Sequence, residues 1–160
     1  MIYYMIVFGL LITGVIIWQL RSNTRFLRLS HQYYPELILD VLISKKERKI
    51  DKFIIRIHTK QKVPLKQLKI ELISAKRSFE YIDLDEISDT VILPDTIKQS
   101  TVYDAAYPYE DLKQLITNKM IHLSSFRVVV VLQNNKLYKS HELKFDKFWK
   151  IFRSDTGRYN

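Results

Sequence analysis

The chain has 160 residues, with 26 Lys or Arg against 17 Asp or Glu for a formal charge of +9, no cysteine and three glycines. Without cysteine it has no disulfide framework, no thiol nucleophile and no thiolate zinc site. Gly9 and Gly14 fall in the first twenty residues and Gly157 near the end, which excludes the glycine-rich loops that expose backbone amides to phosphate.

Residues 1–20 contain no ionisable side chain, and Arg21 is the first. As a helix rising 1.5 Å per residue this run spans roughly 30 Å, the thickness of a bilayer's hydrocarbon core. No basic residue precedes it and no small-x-small site ends it, unlike a secretory signal. Tyr3, Tyr4 and Trp18 lie near its two ends, where amphipathic rings prefer the headgroup level. A single transmembrane helix over 1–20 is therefore expected. Arg21, Arg25 and Arg28 follow it closely, which predicts contact with the membrane surface and, by the positive-inside tendency, a cytoplasmic location for the remainder. Residues 21–34 are expected to be a juxtamembrane linker that briefly continues the helix. Residues 35–145 are long enough for one domain with its own core.

Pro35-Glu36 precede the apolar run Leu37–Ile43, which suits either a helix or a buried strand. From Phe53 onward the chain reads as strands. Phe53–His58 is β-branched and aromatic, and Leu68, Ile70 and Leu72 alternate with Lys69 and Glu71 in the period of two of a half-buried strand. Phe79–Leu84 repeats that style, while Val63-Pro64 and Leu93-Pro94 mark turns or edges. Pro108 with Glu110 and Asp111 opens a short amphipathic helix over 109–118, its apolar residues at Leu112, Leu115 and Ile116. Arg127–Leu132 does not alternate, which predicts burial on both faces. Gln133–Lys136 then supplies a turn in which Asn accepts positive φ, so 126–145 reads as a hairpin. Short strands punctuated by turns, with no βαβ rhythm, predict a mainly β fold. The expected form is one antiparallel β-sandwich, immunoglobulin-like in style, with one or two short helices.

Charge is unevenly spread. Twelve basic residues and three acids lie between Lys45 and Arg77, then nine acids and the single Lys98 between Glu80 and Asp111. The two blocks either make a bipolar surface or face each other in the fold. Lys45, Lys46, Arg48 and Lys49 lead the basic block and form a candidate basic binding face, or else solvated lysines that protect a sheet edge. No nucleic-acid module accompanies them, and nucleic-acid binding is not expected.

In the tail, 146–160, Phe148, Trp149 and Phe152 continue a helical stripe begun by Phe145, flanked by Lys147 and Lys150. A basic-aromatic helix of this kind lies on an anionic leaflet, or its rings cap the open end of the sandwich.

Candidate chemistry is sparse. His31, His58, His122 and His141 have no metal-ligand spacing, and His58 with His141 is the one pair that could meet across strands. Asp83-x-Asp85-Glu86-x-x-Asp89 has the density of a cation loop but lacks the central Gly and terminal Glu of an EF-hand. No metal or cofactor is expected. The function expected is a single-pass, membrane-anchored binding or assembly module without catalytic activity, with the bilayer and a membrane protein as partners. The alternatives are a tethered enzyme or ligand-binding domain using the acidic segment 80–111, and a peripheral lipid-contacting domain.

Overall fold

A computed structural model describes residues 24–46, 49–74, 76, 79–87, 91–118 and 123–145. Three long antiparallel strands open it: β1 (Thr24–Tyr33), β2 (Leu37–Lys46) and β3 (Lys49–Thr59). The run 37–43 is a strand because β2 is the middle one. Leu39, Val41 and Ile43 face the core, while Leu42 is buried on the opposite face between β1 and β3. The linker expected at 21–34 is corrected by β1, whose ten residues pair with β2 almost throughout. The register shifts between Arg28 and Ser30, and that bulge blurs the period of two that would have marked the strand.

β4 (Val63–Ser74) starts the second sheet and turns into β5 (Phe79–Asp83), followed by a 3₁₀ turn (Leu84–Glu86). The short β6 (Thr96–Ile97) pairs with the start of β4. β7 (Val102–Pro108) returns to the first sheet beside β3, and α1 (Tyr109–Asn118) follows it directly, over the span its proline and first-turn acids predict. β8 (Leu123–Leu132) joins the second sheet beside β4. Both β9 (Leu137–Lys139) and β10 (Leu143–Lys144) pair with β8, which makes the expected late hairpin, with Asn135 at φ 61° in its turn.

The fold is mainly β, with two antiparallel sheets. The first has the order β1-β2-β3-β7 and the second β10-β8-β4-β5, with β6 and β9 at its margins. Their inner faces share one core. Across the first sheet Ile43, Phe53 and Tyr107 stand in one row, and Val41, Ile55 and Ala105 in the next; the second sheet answers with Phe126, Val128, Val130, Leu72, Ile70 and Leu68. Among the described residues the one α-helix is α1, which sets Tyr109, Leu112 and Ile116 into that core. No described helix is long and apolar enough to cross a membrane, and the apolar run 1–20 lies outside the described residues.

The sandwich has two distinct ends. At one, Phe53 meets Phe126 (ring centroids 6.4 Å apart) and Phe126 meets Phe145 (5.4 Å). This α1 end also holds the start of β1, the end of β2 and the start of β3. At the other, Tyr34 lies 4.7 Å from Tyr138, donates a hydrogen bond to the Lys139 carbonyl, and is joined by a Glu36–Lys136 ion pair.

Candidate functional site

The outer face of the first sheet carries a row of alternating basic and acidic side chains. His31, Asp40, Arg56 and Asp104 stand directly opposite one another on β1, β2, β3 and β7. Asp40 is 7% exposed, with His31 Nδ1 at 2.6 Å and Arg28 Nε at 3.4 Å from its Oδ1. Arg56 donates two hydrogen bonds to Asp104, both 2.7 Å. A lone acid inside the apolar stretch 37–43 requires such partners, because an unpaired buried carboxylate is costly. The row also fixes register, since a slip of one residue would turn these charges into the core.

On the outer face of the second sheet Glu71 is 1% exposed, although its place between the inward-facing Ile70 and Leu72 reads as a solvent-facing position. It stands opposite Arg127 on β8 and Tyr81 on β5. Tyr81 donates to it at 2.5 Å, Lys139 at 2.8 Å, and Arg127 Nε also donates. Burial pushes the Glu71 carboxyl up, but the bonds from Lys139, Tyr81 and Arg127 outweigh it and hold the group below its ordinary value. On the same outer face Val129 stands opposite Lys69 and Lys139 and is fully buried, and residues 128–132 are buried on both faces. Beside them Lys69 pairs with Asp83 at 2.9 Å. With Arg56–Asp104, this second pair shows that the basic and acidic blocks of the sequence partly face each other.

The two groups of basic residues singled out separately in the sequence come together at the α1 end. Arg25 stands opposite Lys45 across β1 and β2, Thr24 opposite Lys46, and Lys46 opposite Lys49 at the turn into β3. Lys46, Lys49 and Lys52 are exposed, as are Arg25 and Arg28. Phe26 and Leu27 between them are 59% and 42% exposed. Sequence reasoning missed these two. The signal was an apolar pair lodged among arginines just after the apolar run. Arg21, Arg48, Lys147, Phe148, Trp149, Lys150 and Phe152 lie outside the described residues. Phe145, which begins the tail's stripe, is buried against Phe126 and caps the core.

His58 and His141 do not meet. His58 lies on β3 between Ile38 and Val102, whereas His141 follows β9 and donates its backbone N–H to Ser30 Oγ. The described acids of segment 80–111 are distributed over β5, the 3₁₀ turn, the loop before β6, β7 and α1, and three of them, Asp83, Asp104 and Glu110, are held by Lys69, Arg56 and Lys113. Asp85 is pushed up by burial and by Asp83 beside it. Among the described residues no group of three or more His, Asp or Glu could hold a metal ion. Comparison of the chain with protein-family models, with curated proteins and with solved structures finds no match.

Proposed function

We propose that the chain is a single-pass, membrane-anchored binding and assembly module whose sandwich is immunoglobulin-like and faces the cytoplasm. The observation that carries this reading is the junction between the apolar run and the domain. The run ends at Leu20 and β1 begins at Thr24, so three residues separate a bilayer-length segment from the first strand. Among the described residues the shared core is drawn from Leu37 to Phe145. Arg21, Arg25 and Arg28 on that side favour cytoplasmic retention of the domain.

The strand neighbours support the finer description of the fold. β3 beside β7 corresponds to strands B and E of an immunoglobulin sandwich. β4 beside β8 corresponds to C and F, β9 and β10 to G, and β5 to C′. Such sandwiches present edges and end loops to partners, and β1 is an edge strand here.

The test is extraction of membranes holding the full chain. Wild type stays in the pellet after alkaline carbonate, while Leu10→Lys with Ile12→Lys, each costing about 3 kcal/mol in the middle of a span, moves to the supernatant. Cross-linking in the same membranes yields a complex larger than the chain. Wild type released by carbonate, or recovered only as a free monomer in mild detergent, would contradict the reading.

A further inference from the structure

The α1 end breaks the charge rule that the rest of the first sheet follows. In the central row each acid stands opposite a basic side chain, Asp40 between His31 and Arg56 and Asp104 beside Arg56. At the α1 end like faces like at the turn into β3, Lys46 against Lys49. Like charges directly opposed across strands are destabilising unless an anion compensates them. Arg25, Lys46, Lys49 and Lys52 have no ion pair among the described residues, whereas lysines at the opposite end are engaged, Lys136 by Glu36 and Lys60 by the Tyr34 carbonyl. The acids that β3 and α1 bring to the α1 end are Asp51, Glu110 and Asp111, and Glu110 is taken by Lys113 at 3.4 Å.

Position identifies the anion. Four residues of fully extended chain reach at most about 14 Å, so Thr24 lies within that distance of Leu20. The start of β1, the paired Lys46 and Lys49 beside it and the exposed Phe26 are thereby confined near the headgroups if residues 1–20 span the bilayer. The basic-aromatic tail sequence also leaves from this end, immediately after Phe145.

We propose that the α1 end is a lipid-docking surface for anionic headgroup phosphates. Arg25, Lys46, Lys49 and Lys52 meet the phosphates, and Phe26 and Leu27 enter the headgroup boundary. This rests on the anchor proposed above and adds to it a fixed standing orientation, because an anchor alone leaves the domain free to tumble on its short leash.

The full chain in lipid nanodiscs tests this by amide hydrogen exchange of peptides covering 24–28 and 44–52. In phosphatidylcholine–phosphatidylserine discs these amides exchange several-fold more slowly than in phosphatidylcholine discs, and high salt removes the difference. Each basic side chain near an anionic leaflet contributes about fivefold, so the exposed-site variant Arg25→Glu/Lys46→Glu/Lys49→Glu loses the protection entirely. Exchange around the Tyr34 end stays the same in all discs, which controls for folding of the variant. A chain that enters both discs and exchanges alike in each overturns the docking while leaving the anchor intact. A chain that enters neither overturns both. Equal protection by a short RNA duplex in phosphatidylcholine discs would assign the patch to nucleic acid and overturn lipid docking.

Discussion

Replacing Glu71 by Gln isolates the charge of a buried carboxylate without changing its shape. The native group is 1% exposed and accepts from Lys139, Tyr81 and Arg127. Hydrogen bonds to an ionised group are worth about 1.5–3 kcal/mol each against about 1 kcal/mol for neutral ones. Gln retains one carbonyl oxygen but turns an amide N–H₂ toward a cation, so one bond is lost and the others weaken. The Arg127 and Lys139 side chains are 27% and 30% exposed and regain part of their hydration, which offsets some of that loss. The expected net destabilisation at pH 7 is about 2–3 kcal/mol, or roughly 6–12 °C in Tm for a domain of this size. The assay is thermal unfolding of the full chain in detergent, followed by the near-ultraviolet circular dichroism of its tyrosines.

The pH dependence makes the argument specific. Burial raises the Glu71 pKa and its three donors lower it further than that, leaving it below the ordinary 4.5 in the folded state. The unfolded chain therefore takes up this proton at higher pH than the folded one. The stabilisation is complete above about 4.5 and is lost as pH falls through the folded value. The gap between wild type and Glu71→Gln should persist from neutral pH to about 5 and narrow below it. A gap that stays constant down to pH 3, or no gap at neutral pH, would refute the role given to the charge.

Two further substitutions probe the frame. Asp40→Asn should cost about 1–2 kcal/mol by weakening the bonds to His31 and Arg28. In a double-mutant cycle with Arg56→Gln it should show coupling of at least about 0.5 kcal/mol, and strict additivity in denaturant titrations would dissolve the row. Ser100 holds φ 54°, where a side chain costs about 1–2 kcal/mol and glycine costs none; Ser100→Gly should raise the stability measured by denaturant titration by up to about 1 kcal/mol and Ser100→Val should lower it.

What could be read from the sequence was local. The helix at Tyr109–Asn118 announces itself through Pro108 and two first-turn acids, and the β8–β9 turn through its paired asparagines. β1 could not be read this way. Its arginines follow an apolar run and suggest a continuing flank, and the bulge near Leu29 disrupts its alternation. The partner of Asp40 was hidden for the same reason, since His31 becomes its neighbour only once β1 is recognised as a strand. Glu71 was misjudged because alternation reports which face a residue takes and not what roofs that face. Arg127 and Lys139 come from 56 and 68 residues away. The basic end was half visible: Arg25 and Lys45 are both plain in the sequence, but only the register places them opposite each other.

The proposed docking puts the α1 end of the sandwich, and not the Tyr34 end, against the membrane. The chain has no cysteine, so single-cysteine variants take a nitroxide label without background. Asp51→Cys places the label at the α1 end and Asn135→Cys at the opposite one, separated by roughly the 30 Å length of a ten-residue strand. In nanodiscs containing phosphatidylserine and a nickel-chelating lipid, the label at position 51 should be strongly relaxed and the label at 135 left nearly unchanged. Equal relaxation at both positions, or stronger relaxation at 135, would contradict the account.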